Sequence, residues 1–188
     1  MTRSAAPPAP AEARRVVAFW REAGEADAWF SKDPAFDARF RDAFLDLHLA
    51  AARRACAGWS ETPEGALALM ILLDQFPRNA FRDTGHMYAT DSLCRLYARR
   101  AEALGHMAAT ETGLRLFFAL PFAHSEDPAD QDLSLALNRR LGEPWLGHAE
   151  GHRDIIRRFG RFPHRNVILG RTSTAAEEAF LRNGGFSG

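Results

Sequence analysis

Lysine is almost missing from these 188 residues: Lys32 stands alone beside 23 arginines. The bases still only balance the acids, 24 against 24. No net field draws the chain to nucleic acid or to an acidic membrane surface, so no nucleic-acid partner is expected. Two cysteines, Cys56 and Cys94, are too few for a disulfide framework or a cysteine-rich zinc site and read as reduced thiols. Long apolar runs are missing too. The longest, Gly65 to Leu73, is about half of what a membrane crossing needs, so no membrane partner is expected and the location is expected to be cytoplasmic. Met1 to Pro10 has no leucine-rich stretch of signal-peptide length and reads as a flexible tail before one domain at residues 11–188. A glycine-rich phosphate loop, a nucleophile elbow, a paired-cysteine motif and a dinucleotide fingerprint are all absent. The familiar nucleotide enzymes are thereby excluded and the cofactor stays unknown.

Strand-like alternation persists nowhere, whereas helical periodicity recurs throughout. An all-α fold is expected, with about eight helices stacked as antiparallel hairpins. Helix starts are marked by Asp33-Pro34, Thr62-Pro63, Asp127-Pro128 and the capping box Thr174 with Glu177. Phe36, Phe40, Phe44, Leu47 and Ala51 follow helical spacing and predict a buried stripe. The helix from Pro63 to Leu73 is apolar on every face, which predicts a central position. Pro77 is expected to end it and Pro121 to stop a later helix, because proline lacks a donor and clashes with the preceding turn.

Two phrases nearly repeat: Asp74-Gln75-Phe76-Pro77-Arg78-Asn79 and Gly160-Arg161-Phe162-Pro163-His164-Arg165-Asn166. Each holds a guanidinium fork and an amide beside a proline turn, and two such turns converging would clamp an anion. As helix stops, the same residues would cap free carbonyls. Asp74 and Gln75 close the most apolar helix, so the Asp74 carboxylate needs an arginine partner. Between two helices, Pro121-Phe122-Ala123-His124-Ser125-Glu126-Asp127 gathers an imidazole, a hydroxyl and two carboxylates. Asp127 serves as a cap and Ser125 as a turn former, which leaves His124 and Glu126 for proton transfer. His148 and His152 share a helix face, but Glu150 is not placed as in a zinc-protease motif, so no metal site is assigned.

Leu72-Leu73 followed by the first phrase, Pro121 to Glu126, and Phe159 followed by the second phrase together resemble the family called domain of unknown function 924, over about Val16 to Leu181. Trp29-Phe30, Trp59, Ala89-Thr90-Asp91, Gln131, Leu169-Gly170-Arg171 and Thr174 with Glu177 also fit its pattern. The resemblance implies an all-helical, tetratricopeptide-like fold of mostly bacterial occurrence and no defined activity. Ala119 stands where the family pattern has a tyrosine, so no role for that phenol is carried over.

These readings predict a pocket for a small anion. Asp74, Gln75, Arg78, Asn79, Gln131, Arg161, Arg165 and Asn166 would form its binding residues. His124, Glu126, His152 and His164 would move protons, in hydrolysis or elimination if there is turnover. The alternative is a tetratricopeptide-type module that binds a peptide or protein partner.

Overall fold

A computed structural model describes residues 8–187; all its elements are helical, and no strand occurs among the described residues. The tail expected at residues 1–10 lies largely outside the described residues. No described helix is long and apolar enough to cross a membrane. The chain forms two compact units, one ending at Pro121 and the other made of Asp83–Gly85 and the residues from Phe122 onward.

In the first unit, α1 (Ala11–Glu25) buries Ala13, Val16, Val17, Trp20 and Ala23, a stripe set by the helical period. Helix α2 (Pro34–Ala52) opens where Asp33 accepts the Ala35 N–H, as its sequence predicts. Its phenylalanines pack as expected: Phe19 of α1 stacks on Phe36 and Phe40 and meets Phe44 edge-on. The stripe continues to His48, fully buried, and not to Leu47, which is only partly covered.

Helix α3 (Pro63–Met70) is the buried centre, with Gly65 through Met70 all inaccessible. Thr62 caps it, and Gly65 lies so close to the preceding turn that a Cβ there would sit 2.2 Å from the Trp59 carbonyl oxygen. Burying each large side chain of this stretch contributes about 1.5–3 kcal/mol. The chain does not leave the helix at Pro77. Ile71–Gln75 widens into a π turn, and α4 (Phe76–Ala80) carries on with Pro77 in its first turn. Because Pro77 has no N–H, it offers no donor to the carbonyls four and five residues back. Leu73 O accepts instead from Thr90 Oγ1 (2.6 Å) and Leu72 O from His48 Nδ1 (2.8 Å). The proline is thus built into the buried helix, and the expected stop comes only after Ala80.

Helix α5 (Asp91–Ala103) lies against α3, followed by the short α6 (His106–Ala109). Pro121 likewise does not stop its helix: α7 (Leu116–Ala123) runs through it. In the second unit, α8 (Pro128–Leu141), capped by Asp127, packs along α9 (Trp145–Phe159), which Gly160 ends at φ +70°. After a 3₁₀ turn at Pro163–Arg165, α10 (Ala175–Arg182) begins with the expected capping box of Thr174 and Glu177. Ile155, Ile156 and Phe162 form this unit's core, with Phe159 and Phe180 against them.

Asp74 does pair with an arginine. Arg78 Nη1 reaches Asp74 Oδ1 at 3.0 Å, and the Arg78 fork spans both Asp91 oxygens at 2.9 and 3.0 Å. Burial alone would lower the Arg78 pKa, but the Asp74 and Asp91 charges outweigh it and hold it above its usual value. The same burial, reinforced by those charges, pushes the Cys94 thiol well up. Replacing Asp74 with Ala is expected to cost about 3 kcal/mol in urea unfolding, because a buried charge loses its partner; a loss below about 0.5 kcal/mol would contradict a buried pair.

Candidate functional site

The two repeated phrases fall in different units and are wired differently. In the first unit, Gln75 Nε2 donates to Asp74 Oδ2 (2.5 Å) and Asn79 Nδ2 donates to Gln75 O (2.8 Å). Asn79 Oδ1 accepts from Arg82 Nη2 (2.9 Å), and Arg82 also forks onto Asp37. Asp74, Gln75, Arg78 and Asn79 therefore form one buried network in which the Arg78 charge faces two carboxylates. Its chemistry is that of a structural lock.

The second phrase splits its duties. Arg161 forks onto Glu177 (2.6 and 2.9 Å) and donates to Thr172 O (2.8 Å). Those bonds hold the Glu177 carboxyl down to about 2. Asn166 Nδ2 donates to Ser173 Oγ (3.1 Å), and its Oδ1 accepts from Arg171 Nε (2.9 Å). Arg171 in turn forks onto Glu126 at 2.6 and 3.0 Å, and Glu126 Oε1 accepts the Phe162 N–H at 2.8 Å. Burial raises the Glu126 carboxyl pKa, but Arg171 and the Phe162 N–H outweigh it and hold it below the usual range. Glu126, which the sequence left without a structural task, ties the His124 connection to Phe162 and Arg171.

Gln131 steadies the same connection from α8. Its Nε2 donates to Ala123 O (2.8 Å) and Ser125 O (2.6 Å), while its Oε1 is buried with no hydrogen bond among the described residues. Ser125 Oγ donates to the buried Asp130 at 2.6 Å. These bonds fix the segment that carries His124.

His124, His152, His164 and Arg165 come together here. The His124 and His152 rings lie 6.5 Å apart, and Phe162 touches both His152 and His164 at 5.6 Å. The Arg165 guanidinium sits 4.5 Å over the Phe162 ring. His152 Nδ1 lies 2.8 Å from His148 O; since a carbonyl only accepts, this nitrogen carries the proton and Nε2 keeps the lone pair. The exposed His148 ring adds a minor further lowering of the His152 pKa and packs beside Trp145 at 6.1 Å. Burial first, then His124, lowers the His152 pKa to about 4. Burial, then Arg165, His152 and His124, lowers that of His164 to about 3, with Glu126 acting against them. Both imidazoles are neutral near pH 7. His164 Nδ1 is buried without a hydrogen bond among the described residues. No group of three or more His, Cys, Asp or Glu side chains is placed to hold a metal ion among those residues.

The site thus belongs to an all-helical protein with a basic imidazole and guanidinium cluster in its second unit. Residues 16–185 match the family described as bacterial protein of unknown function (DUF924), and the chain belongs to that family. A solved structure of a protein of unknown function from Agrobacterium tumefaciens is similar to it, with 56% identity, a TM-score of 0.90, and coverage of 93% of this chain and 98% of that one. No curated protein matches the chain.

His152 and His164 make stability depend on pH in the second unit, and His48, lowered by its burial, does so in the first. Their folded pKa values lie below the unfolded value of about 6.5, so the unfolded state takes up protons first. The stability they confer is complete above about pH 6.5 and is lost as pH falls toward the folded values. Replacing His152 or His164 with Gln is expected to flatten the slope between pH 5 and 6.5 by up to about 1.4 kcal/mol per pH unit, read by urea unfolding. Glu126 and Glu177 act at lower pH and leave this window to the histidines. An unchanged slope in both variants would refute the assignment.

Proposed function

We propose that the second unit binds a small carboxylate- or phosphate-type anion at Arg165, with His124, His152 and His164 around it. The observation that carries the reading is the buried His164 Nδ1, which makes no hydrogen bond among the described residues within a cluster of basic groups. An incoming anion accepts from a protonated Nδ1, offsets the repulsion that adds to burial in keeping the imidazoles neutral, and raises their pKa values. Asn166, Arg161 and Gln131 hold the surrounding segments in place, and Glu126 orients Arg171 and Phe162. Turnover by hydrolysis or elimination would use the His152 Nε2 lone pair as proton acceptor.

A second reading is favoured by an open groove of about 450 Å³ along α9 and α10, lined by Arg158, Phe159, Ala176, Phe180 and Asn183. The Arg158 guanidinium lies 5.0 and 5.2 Å from the Phe159 and Phe180 ring centres. A tetratricopeptide-like module would hold a partner segment on such a surface.

Calorimetric titration with inorganic phosphate separates the two. Binding is expected to take up protons and to be tighter at pH 5.5 than at pH 8, because the anion pulls imidazole pKa values upward. Replacing Arg165 with Gln is expected to weaken it by about 10- to 100-fold, the worth of a charged hydrogen bond. Phosphate affinity that ignores both pH and Arg165 would sink the anion reading.

A further inference from the structure

Phe186 is 41% exposed, yet its ring meets His152 edge-on at 4.7 Å and His164 edge-on at 5.1 Å. With Phe162, which touches the same two imidazoles at 5.6 Å, it closes a circuit of four rings. Three members are anchored: Phe162 is fully buried in the core, His152 lies on α9, and His164 lies in the 3₁₀ turn. Phe186 is held differently. It lies beyond α10, after Gly184 at φ +79° and Gly185, a pair of residues whose backbone turns with little side-chain hindrance. Gly185 N–H donates to Phe180 O (2.9 Å), which fixes the strap's root while Phe186 rests on the two imidazole edges.

We infer that Phe186 occupies a slot for a planar ring, so the ligand of this site is an anion carrying an aryl group, and the strap at residues 183–187 yields to it. The inference rests on the anion reading above. Two imidazoles that receive a phenyl edge will receive another ring in the same geometry. Arg165, whose guanidinium lies 4.5 Å over the Phe162 ring of the same circuit, is the cation that the carboxylate or phosphate of such a ligand would meet. A half-exposed phenyl held by ring edges is the readily displaced member, since the other three are tied into helices, a turn or the core.

The test compares inorganic phosphate with phenyl phosphate in calorimetry on the full chain at pH 6, for the wild type, Phe186→Ala and Phe186→Leu. The expected result is phenyl phosphate binding tighter than phosphate in the wild type, and about 10-fold tighter again once Phe186 is Ala, the worth of vacated ring contacts. Phosphate itself is expected to change less than about 2-fold in that variant, because it does not enter the ring slot. Phe186→Leu keeps apolar volume but no planar edge, and an intermediate gain there supports displacement. If both probes bind but the aryl group brings no gain in any variant, the ring slot is wrong while the anion site stands. If neither probe binds, the anion site fails and this inference falls with it.

Discussion

A missing hydrogen governs the first unit. Pro77 lies in the continuation of a helix with no access to water, where unpaired carbonyls are costly. The π turn at Ile71–Gln75 shifts the main-chain register around the proline, and two side chains from elsewhere in the unit, His48 and Thr90, donate to the carbonyls it leaves. Those donors fix α2 and the start of α5 against the central helix. Arg78, one residue after the proline, then reaches both Asp74 and Asp91, so the turn that accommodates Pro77 also positions a buried ionic lock. Burying these charges is tolerable because the fork geometry satisfies several oxygens at once.

The second phrase has similar residues in another setting, and its outcome differs. Gly160 ends α9 before Phe162-Pro163 is reached, so the proline begins a short 3₁₀ turn and leaves no buried helix to repair. Arg161 and Asn166 are committed to Glu177, Ser173 and Arg171. Burial first, with Arg165 among the neighbouring basic groups, lowers the pKa values of His152 and His164. Similarity of phrase therefore did not mean similarity of role.

Local physics was legible in the chain, and distant pairing was not. Asp33, Thr62, Asp127 and Thr174 cap the helices they announce, because each cap needs a partner only two or three residues away. The phenylalanine ladder of α2 followed from spacing, although its last rung is His48, whose polarity hid it. Pro77 was misjudged because the rule that proline ends helices assumes no side chain stands ready to take the freed carbonyls, and α7 likewise runs through Pro121. Glu126 shows the same limit: Arg171, 45 residues on, pairs with it, and no local pattern signals that bond. His124 stood out in the sequence for want of a local role and His152 for lying one turn before Ile155, Ile156 and Phe159, whereas the approach of their rings is a distant pairing.

The balanced total of 24 bases and 24 acids conceals how charge is apportioned. The buried network of the first unit sets one guanidinium between two carboxylates, so its positive charge is more than answered. In the second unit Glu126 and Glu177 are spoken for by Arg171 and Arg161. Burial first, then Arg165 and the neighbouring imidazoles, keeps His164 neutral against the opposing pull of Glu126, and its Nδ1 makes no hydrogen bond among the described residues. Such an arrangement is stabilised by whatever brings negative charge and lone pairs to it.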